Sequence, residues 1–175
     1  MITELDLYYL GSLVFVVSAL LANVWLRQLF LVYLTILLAL GFMGYKSRGH
    51  VIQGYSMRDL WTMAILSSII YPLVDYSFEA RLRWVTYLTD EPKLLATPVY
   101  VILFWVYGVF LFGYFFLRVR DQSGRDLRAG ALTGLYAALS ASLIENLFNV
   151  MGFYRNAESF LMIGYVPLYV SLGWV

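Results

Sequence analysis

The chain has 175 residues, 62% of them hydrophobic and only 13% charged, with a mean hydropathy of +0.75 and a formal net charge of +1. A soluble domain carries roughly 25% charged residues, and one of this length has too small an interior for so much apolar surface, so lipid is the expected solvent. The near-neutral balance argues against a nucleic-acid partner, which needs a concentrated basic patch. The lack of cysteine removes disulfides, thiolate nucleophiles and thiolate-held metals.

The apolar runs are continuous rather than alternating, which predicts an all-α, polytopic transmembrane helical bundle of about six spans and not a β-barrel. One transmembrane domain is expected over residues 1–175. The first span, near Leu5–Leu26, follows an acidic start with Glu4 and Asp6 and reads as a retained helix, because a signal peptide would carry a basic n-region. The second, Leu29–Tyr45, follows after a turn holding Arg27 and Gln28, too short for anything but antiparallel neighbours. The third is expected at Asp59–Phe78, the fourth at Leu94–Leu117 and the fifth at Leu127–Gly152. Between the third and fourth, Leu82, Val85 and Leu88 recur at helical spacing beside Trp84 and Tyr87, which predicts a segment lying flat in the interface. A sixth span at Phe160–Val175 is short and lacks a closing polar flank; it reads as ending in the membrane or as part of a longer chain. No internal repeat relates the two halves, which leaves an inverted-repeat transporter without support.

Loops two and four hold Lys46, Arg48, Arg58, Arg118, Arg120, Arg125 and Arg128, seven basic residues against five in the odd loops: Arg27, Arg81, Arg83, Lys93 and Arg155. The positive-inside rule puts the richer loops and the N-terminus in the cytoplasm. The single histidine, His50, cannot supply a pair of ligands for haem, copper or a di-iron centre. Lys46 and Lys93 leave no amine at mid-membrane for a retinal Schiff base, and no Asp-rich diphosphate motif or phosphate-cradling glycine loop is present. No metal or cofactor is expected.

Carboxylates within membrane spans are costly and so mark candidate sites. Asp75 lies about 17 residues beyond Arg58, and Glu145 the same number beyond Arg128, on spans running in the same direction. At roughly 1.5 Å per residue both acids reach a similar depth, near the non-cytoplasmic side. Asp75 sits on a polar stripe with Ala64, Ser68, Tyr71, Pro72 and Glu79, where Pro72 removes one helix hydrogen bond. Glu145 sits on a face with Gly134, Ala138, Ala141, Ser142, Asn149 and Gly152, small enough for close helix approach. Asn149 and Asn146 are placed to hold the carboxyl, and Arg155 to counter its charge. Such acids commonly only lock helices together. In unlike settings, however, two acids can give a proton to one end of an apolar substrate and take one from the other. On the fourth span Tyr100, Phe104, Tyr107, Leu111 and Tyr114 form a stripe suited to lining a groove for an extended lipid or polyene, although such stripes more often serve packing.

The stretch from Glu145 to Val175 resembles membrane carotenoid-biosynthesis proteins of the lycopene-cyclase and carotenoid-hydratase type. The resemblance is carried by Glu145, Gly152, Phe153, Tyr154, Gly164, Pro167, Leu168, Gly173 and Trp174. It implies an isoprenoid substrate and makes Glu145 the catalytic acid. The resulting expectation is a metal-free membrane enzyme that cyclises, isomerises or hydrates an alkene. Asp75, Glu145 and Asn149 are its catalytic candidates, and Tyr71, Tyr100, Tyr107, Tyr154 and Arg155 its substrate contacts. Its expected partners are membrane lipids and an isoprenoid or polyene ligand. Two alternatives use the same residues: a non-catalytic subunit of a larger membrane protein complex, and a proton-coupled transporter.

Overall fold

A computed structural model describes residues 3–77, 85–157 and 162–167. Among them are five helices, α1 (Glu4–Leu26), α2 (Leu29–Lys46), α3 (Met57–Tyr76), α4 (Val99–Ser123) and α5 (Asp126–Met151). Four of these, α1, α2, α4 and α5, are long and apolar enough to cross a membrane. They close a ring in which α1 packs on α2 and α5, and α4 packs on the same two; α3 lies against α4.

The helix starts follow from local chemistry. Thr3 caps α1 through a reciprocal pair with Asp6, and Ser56 caps α3 in the same way with Asp59. The tight turn between α1 and α2 is held by Asn23, whose amide oxygen accepts from the Gln28 N–H and whose amide nitrogen donates to the Gln28 carbonyl, both at 3.0 Å.

The interior of the ring holds Val16, Leu20, Val32, Ile36 and Tyr107, all fully buried, while the outward faces carry Trp25, Phe30, Leu127 and Leu139. Trp25 is 89% exposed and Leu127 88%, an apolar exterior suited to lipid rather than water. Lipid is as apolar as the interior, so burial alone does not hold such helices together; packing and interhelical polar contacts must. The strongest of these joins Asp6 on α1 to Arg118 on α4 through two bonds of 2.8 Å, with Tyr114 donating to Asp6 at 2.6 Å.

Short antiparallel hairpins lead into helices. β1 (Val51–Ile52) pairs with β2 (Tyr55–Ser56) immediately before α3, and β4 (Lys93–Leu94) with β5 (Thr97–Pro98) immediately before α4. A third hairpin of the same build joins β7 (Met162–Ile163) to β8 (Val166–Pro167). These recurring units form a local repeat that is invisible to a comparison of the two halves. The second one also corrects the start of the fourth span from Leu94 to Val99, where Pro98 holds the extended cap position.

Two expectations change. The interfacial helix between the third and fourth spans is replaced, at Val85–Tyr87, by strand β3, which pairs with β6 (Tyr154–Asn156); residues 81–84 lie outside the described residues. β-Branched Val85 and Thr86 and aromatic Tyr87 suit a strand once a partner is at hand. The sixth span is not helical at 162–167, where Gly164 turns the β7–β8 hairpin with φ of +65°. The rest of that expected span, and Phe78 of the third, lie outside the described residues.

Candidate functional site: a buried carboxylate beneath a strand cap

Near the C-terminal end of α3, one turn beyond Pro72, the Asp75 side chain is buried at 2% exposure. Three hydroxyls donate to it. Thr97 reaches Oδ2 at 2.6 Å, Tyr87 reaches the same oxygen at 2.8 Å, and Tyr71 reaches Oδ1 at 3.4 Å. No cation pairs with Asp75 among the described residues. Hydroxyls can satisfy the lone pairs of a buried carboxyl in either protonation state, because each is both donor and acceptor.

The donors come from different elements, and the fold converges them. Tyr71 precedes Asp75 by one helical turn and stacks on Trp105 of α4, with ring centroids 4.1 Å apart. Thr97 sits in β5, fully buried, immediately before Pro98 and α4. Tyr87 ends β3, opposite Tyr154 of β6. The segment between Tyr87 and Thr97 is fastened a third time where Tyr33 of α2 donates to Glu91, which also accepts from Thr89 at 3.0 Å.

The β3–β6 ribbon depends on how α5 stops. Gly152 takes the left-handed conformation with φ of +79°, which a side chain would disfavour. The Phe153 N–H then bonds back to the Phe148 carbonyl at 3.0 Å, and the Leu88 N–H bonds to the Phe153 carbonyl at 2.9 Å. The turn aims Tyr154 at Tyr87, with ring centroids 5.9 Å apart, over a cluster of Tyr100, Phe148 and Phe153. Burial pushes the pKa of the Tyr154 hydroxyl well above the ordinary phenol range, and the nearby Glu145 and Asp75 carboxylates add to the shift. Tyr87 is raised in the same direction, first by burial and then by Tyr71 and Asp75.

The structure therefore brings Asp75, Glu145, Tyr71 and Tyr154 to one end of the bundle, with both carboxylates within electrostatic reach of Tyr71 and Tyr154. Glu145 is only partly buried. Asn149 donates to the Glu145 backbone carbonyl at 2.9 Å. Asn146 donates to the Ser142 carbonyl at 2.8 Å and accepts from the Tyr165 N–H at 2.6 Å, which docks the third hairpin on α5. Arg155 projects from the exposed face of β6, opposite to the face that carries Tyr154.

The tyrosine stripe of α4 is divided. Tyr100 belongs to the cluster under the cap. Tyr107 is buried in the middle of the ring, where its hydroxyl and that of Ser12 lie 2.8 Å apart, and Tyr114 belongs to the Asp6–Arg118 contact at the far end. Sequence reasoning missed Tyr87 as a hydrogen-bond donor to Asp75, and missed Thr97 altogether. Thr97 had a signal only in retrospect, as a hydroxyl beside a helix-initiating proline.

An open depression of about 560 Å³, lined by Gln53, Tyr55, Arg120, Gly124 and Asp126, lies at the end of the bundle remote from Asp75. Residues 72–174 match the family described as a domain of unknown function (DUF6989), a stretch that includes Asp75, Tyr87, Thr97, Glu145 and Tyr154. No curated protein and no solved structure matches the chain.

Proposed function

The chain belongs to the family of domains of unknown function DUF6989, and we propose that it is a membrane-embedded enzyme acting on an isoprenoid or another lipid by acid–base chemistry centred on Asp75. The observation that carries this reading is a fully buried carboxyl bonded to three hydroxyls with no cation on it among the described residues. A carboxyl kept only to lock helices is ordinarily matched with Arg or Lys, as Asp6 is with Arg118. Asp75 instead has partners that can pass a proton on.

Glu145, partly exposed on α5 and within reach of the same tyrosines, is the second carboxyl of the pair. Unlike environments allow one acid to donate while the other accepts. The aromatic cluster of Tyr100, Phe148 and Phe153 provides faces that favour a developing positive charge on a polyene. The isoprenoid class rests on the resemblance of residues 145–175 to carotenoid-biosynthesis proteins. On this reading α3 also crosses the bilayer, its 20 residues spanning roughly 30 Å. The basic end with Lys46, Arg48, Arg118 and Arg125, and the N-terminus beside it, then face the cytoplasm. A scaffold role built on small-residue contacts has less support, because Gly134, Ala137 and Ala141 are buried within the chain itself.

The test is deuterium incorporation. Purified protein in D2O is incubated with an isoprenoid lipid fraction, and the lipids are analysed by mass spectrometry. Wild type should label a lipid, and Asp75→Asn should reduce labelling by about 100-fold or more while retaining helical circular dichroism. Undiminished labelling by Asp75→Asn would refute the assignment.

A further inference from the structure

On the inner face of β6, two residues beyond Tyr154, lies Asn156. It is 6% exposed, and neither its amide oxygen nor its amide nitrogen has a hydrogen-bond partner among the described residues. The pairing of β3 with β6 sets its direction. Tyr154 and Asn156 are the buried positions of a buried–exposed–buried strand, and they stand opposite Tyr87 and Val85. Tyr87 on the same ribbon reaches Asp75. The amide is therefore on the face of the ribbon turned toward the Asp75 cluster, roughly 7 Å along the strand from Tyr154.

A buried amide with both ends unpaired is a costly feature, and native structures contain few of them. Stability alone would favour a leucine of similar volume here. Retaining a side chain at a stability cost is characteristic of binding and catalytic positions.

We infer that Asn156 binds the polar end of the lipid that Asp75 acts on, and that this end is an oxygen group able both to donate and to accept a hydrogen bond. A hydroxyl or a protonated carboxyl meets that requirement, and a pure hydrocarbon does not. The inference rests on the function proposed above and narrows its substrate class. Asn156 orients the oxygenated end, while the apolar body lies against the aromatic cluster. It is a positioning group, with no proton transfer assigned to it.

The experiment uses the full-length protein in mild detergent and three probes of matched length: geranylgeraniol, geranylgeranoic acid and the corresponding hydrocarbon. Binding is followed by quenching of tryptophan fluorescence, since Trp105 stacks on Tyr71 beside Asp75. Wild type should bind the alcohol, the acid or both more tightly than the hydrocarbon, and whichever is preferred identifies the source of the oxygen. Asn156→Leu should weaken that preferred ligand by about tenfold and leave hydrocarbon binding unchanged. The ligand-free Asn156→Leu protein should also melt no lower than wild type, because the substitution removes unpaired polar atoms. A lower melting temperature, or failure to fold, would mean that the amide serves the apo structure and would overturn the inference. So would equal binding of all three probes by wild type, or an Asn156→Leu protein that keeps the preference. The function proposed for Asp75 fails separately, through deuterium labelling that survives Asp75→Asn.

Discussion

The hydroxyls of Tyr87 and Thr97 meet on a single atom, Oδ2 of Asp75, at 2.8 and 2.6 Å. One carboxyl oxygen thus fastens both ends of the cap to α3, and the two donors share whatever geometry Asp75 adopts. Tyr87→Phe and Thr97→Val should each destabilise the protein by about 1–3 kcal/mol. Their effects should not add: a double-mutant cycle in denaturant should show a coupling of about 0.5–3 kcal/mol. Strict additivity would mean that the two bonds act independently and that the cap is not held through Asp75.

The contact of Asp6 with Arg118 does similar work at the opposite end, joining residues far apart in the chain across α1 and α4. Asp6 also closes the capping box with Thr3 and accepts from Tyr114. Asp6→Asn keeps one acceptor but loses the charge, whereas Arg118→Gln leaves the carboxylate without its bidentate partner. Both should lower stability, by about 1–3 kcal/mol each, with little additional loss in the double variant. Unfolding in detergent read by circular dichroism decides this, and a fully additive double variant would refute the pairing.

What the sequence made legible was governed by run length and depth. Apolar stretches located α1, α2 and α5 to within a residue or two, and counting residues from Arg58 and Arg128 brought Asp75 and Glu145 to the same end of the bundle. The illegible parts depend on partners distant in the chain. A two-residue strand has no periodicity, so the apolar run carries the fourth helix back to Leu94, into the hairpin that precedes α4. Tyr87 looks like an interface aromatic until β6 comes alongside it. Asp6 and Arg118 were legible only as indicators of orientation, because nothing local connects a first-turn acid to a residue on the fourth helix. The stripe of Tyr100, Tyr107 and Tyr114 reads as one face of α4, yet the three serve different contacts: the Tyr100 ring packs on Phe148, the Tyr107 hydroxyl meets Ser12 and the Tyr114 hydroxyl donates to Asp6.

Docking of the β7–β8 hairpin on α5 depends on Gly164 and Asn146. Gly164 has φ of +65°, and a Cβ there would run into the Asn146 amide. The Tyr165 N–H donates to that amide at 2.6 Å. Gly164→Ala and Asn146→Ala should both release the hairpin, the first through strain and contact, the second through loss of the acceptor. Hydrogen exchange at Tyr165 should accelerate by about tenfold or more in each, equivalent to losing one hydrogen bond. Unchanged protection in Asn146→Ala would show that the hairpin is held by other contacts.

Burial of the Tyr154 hydroxyl makes a prediction about pH. Its pKa in the folded protein lies well above the ordinary value, while in the unfolded chain it is about 10. Below about pH 10 both states hold the proton, and the stabilising contribution is present in full. As the pH rises above that value the unfolded chain ionises and the folded one does not, so folding becomes less favourable by up to about 1.4 kcal/mol per pH unit for this group. Tyr87 acts in the same direction, since it is raised by the same kind of burial. Tyr154→Phe should therefore flatten the decline of stability between about pH 10 and pH 11 relative to wild type, whatever its effect near neutrality. Melting temperatures measured across that range provide the comparison. Parallel curves for the two proteins would mean that Tyr154 ionises in the fold as readily as it does in the unfolded chain, which its place beneath the strand cap should prevent.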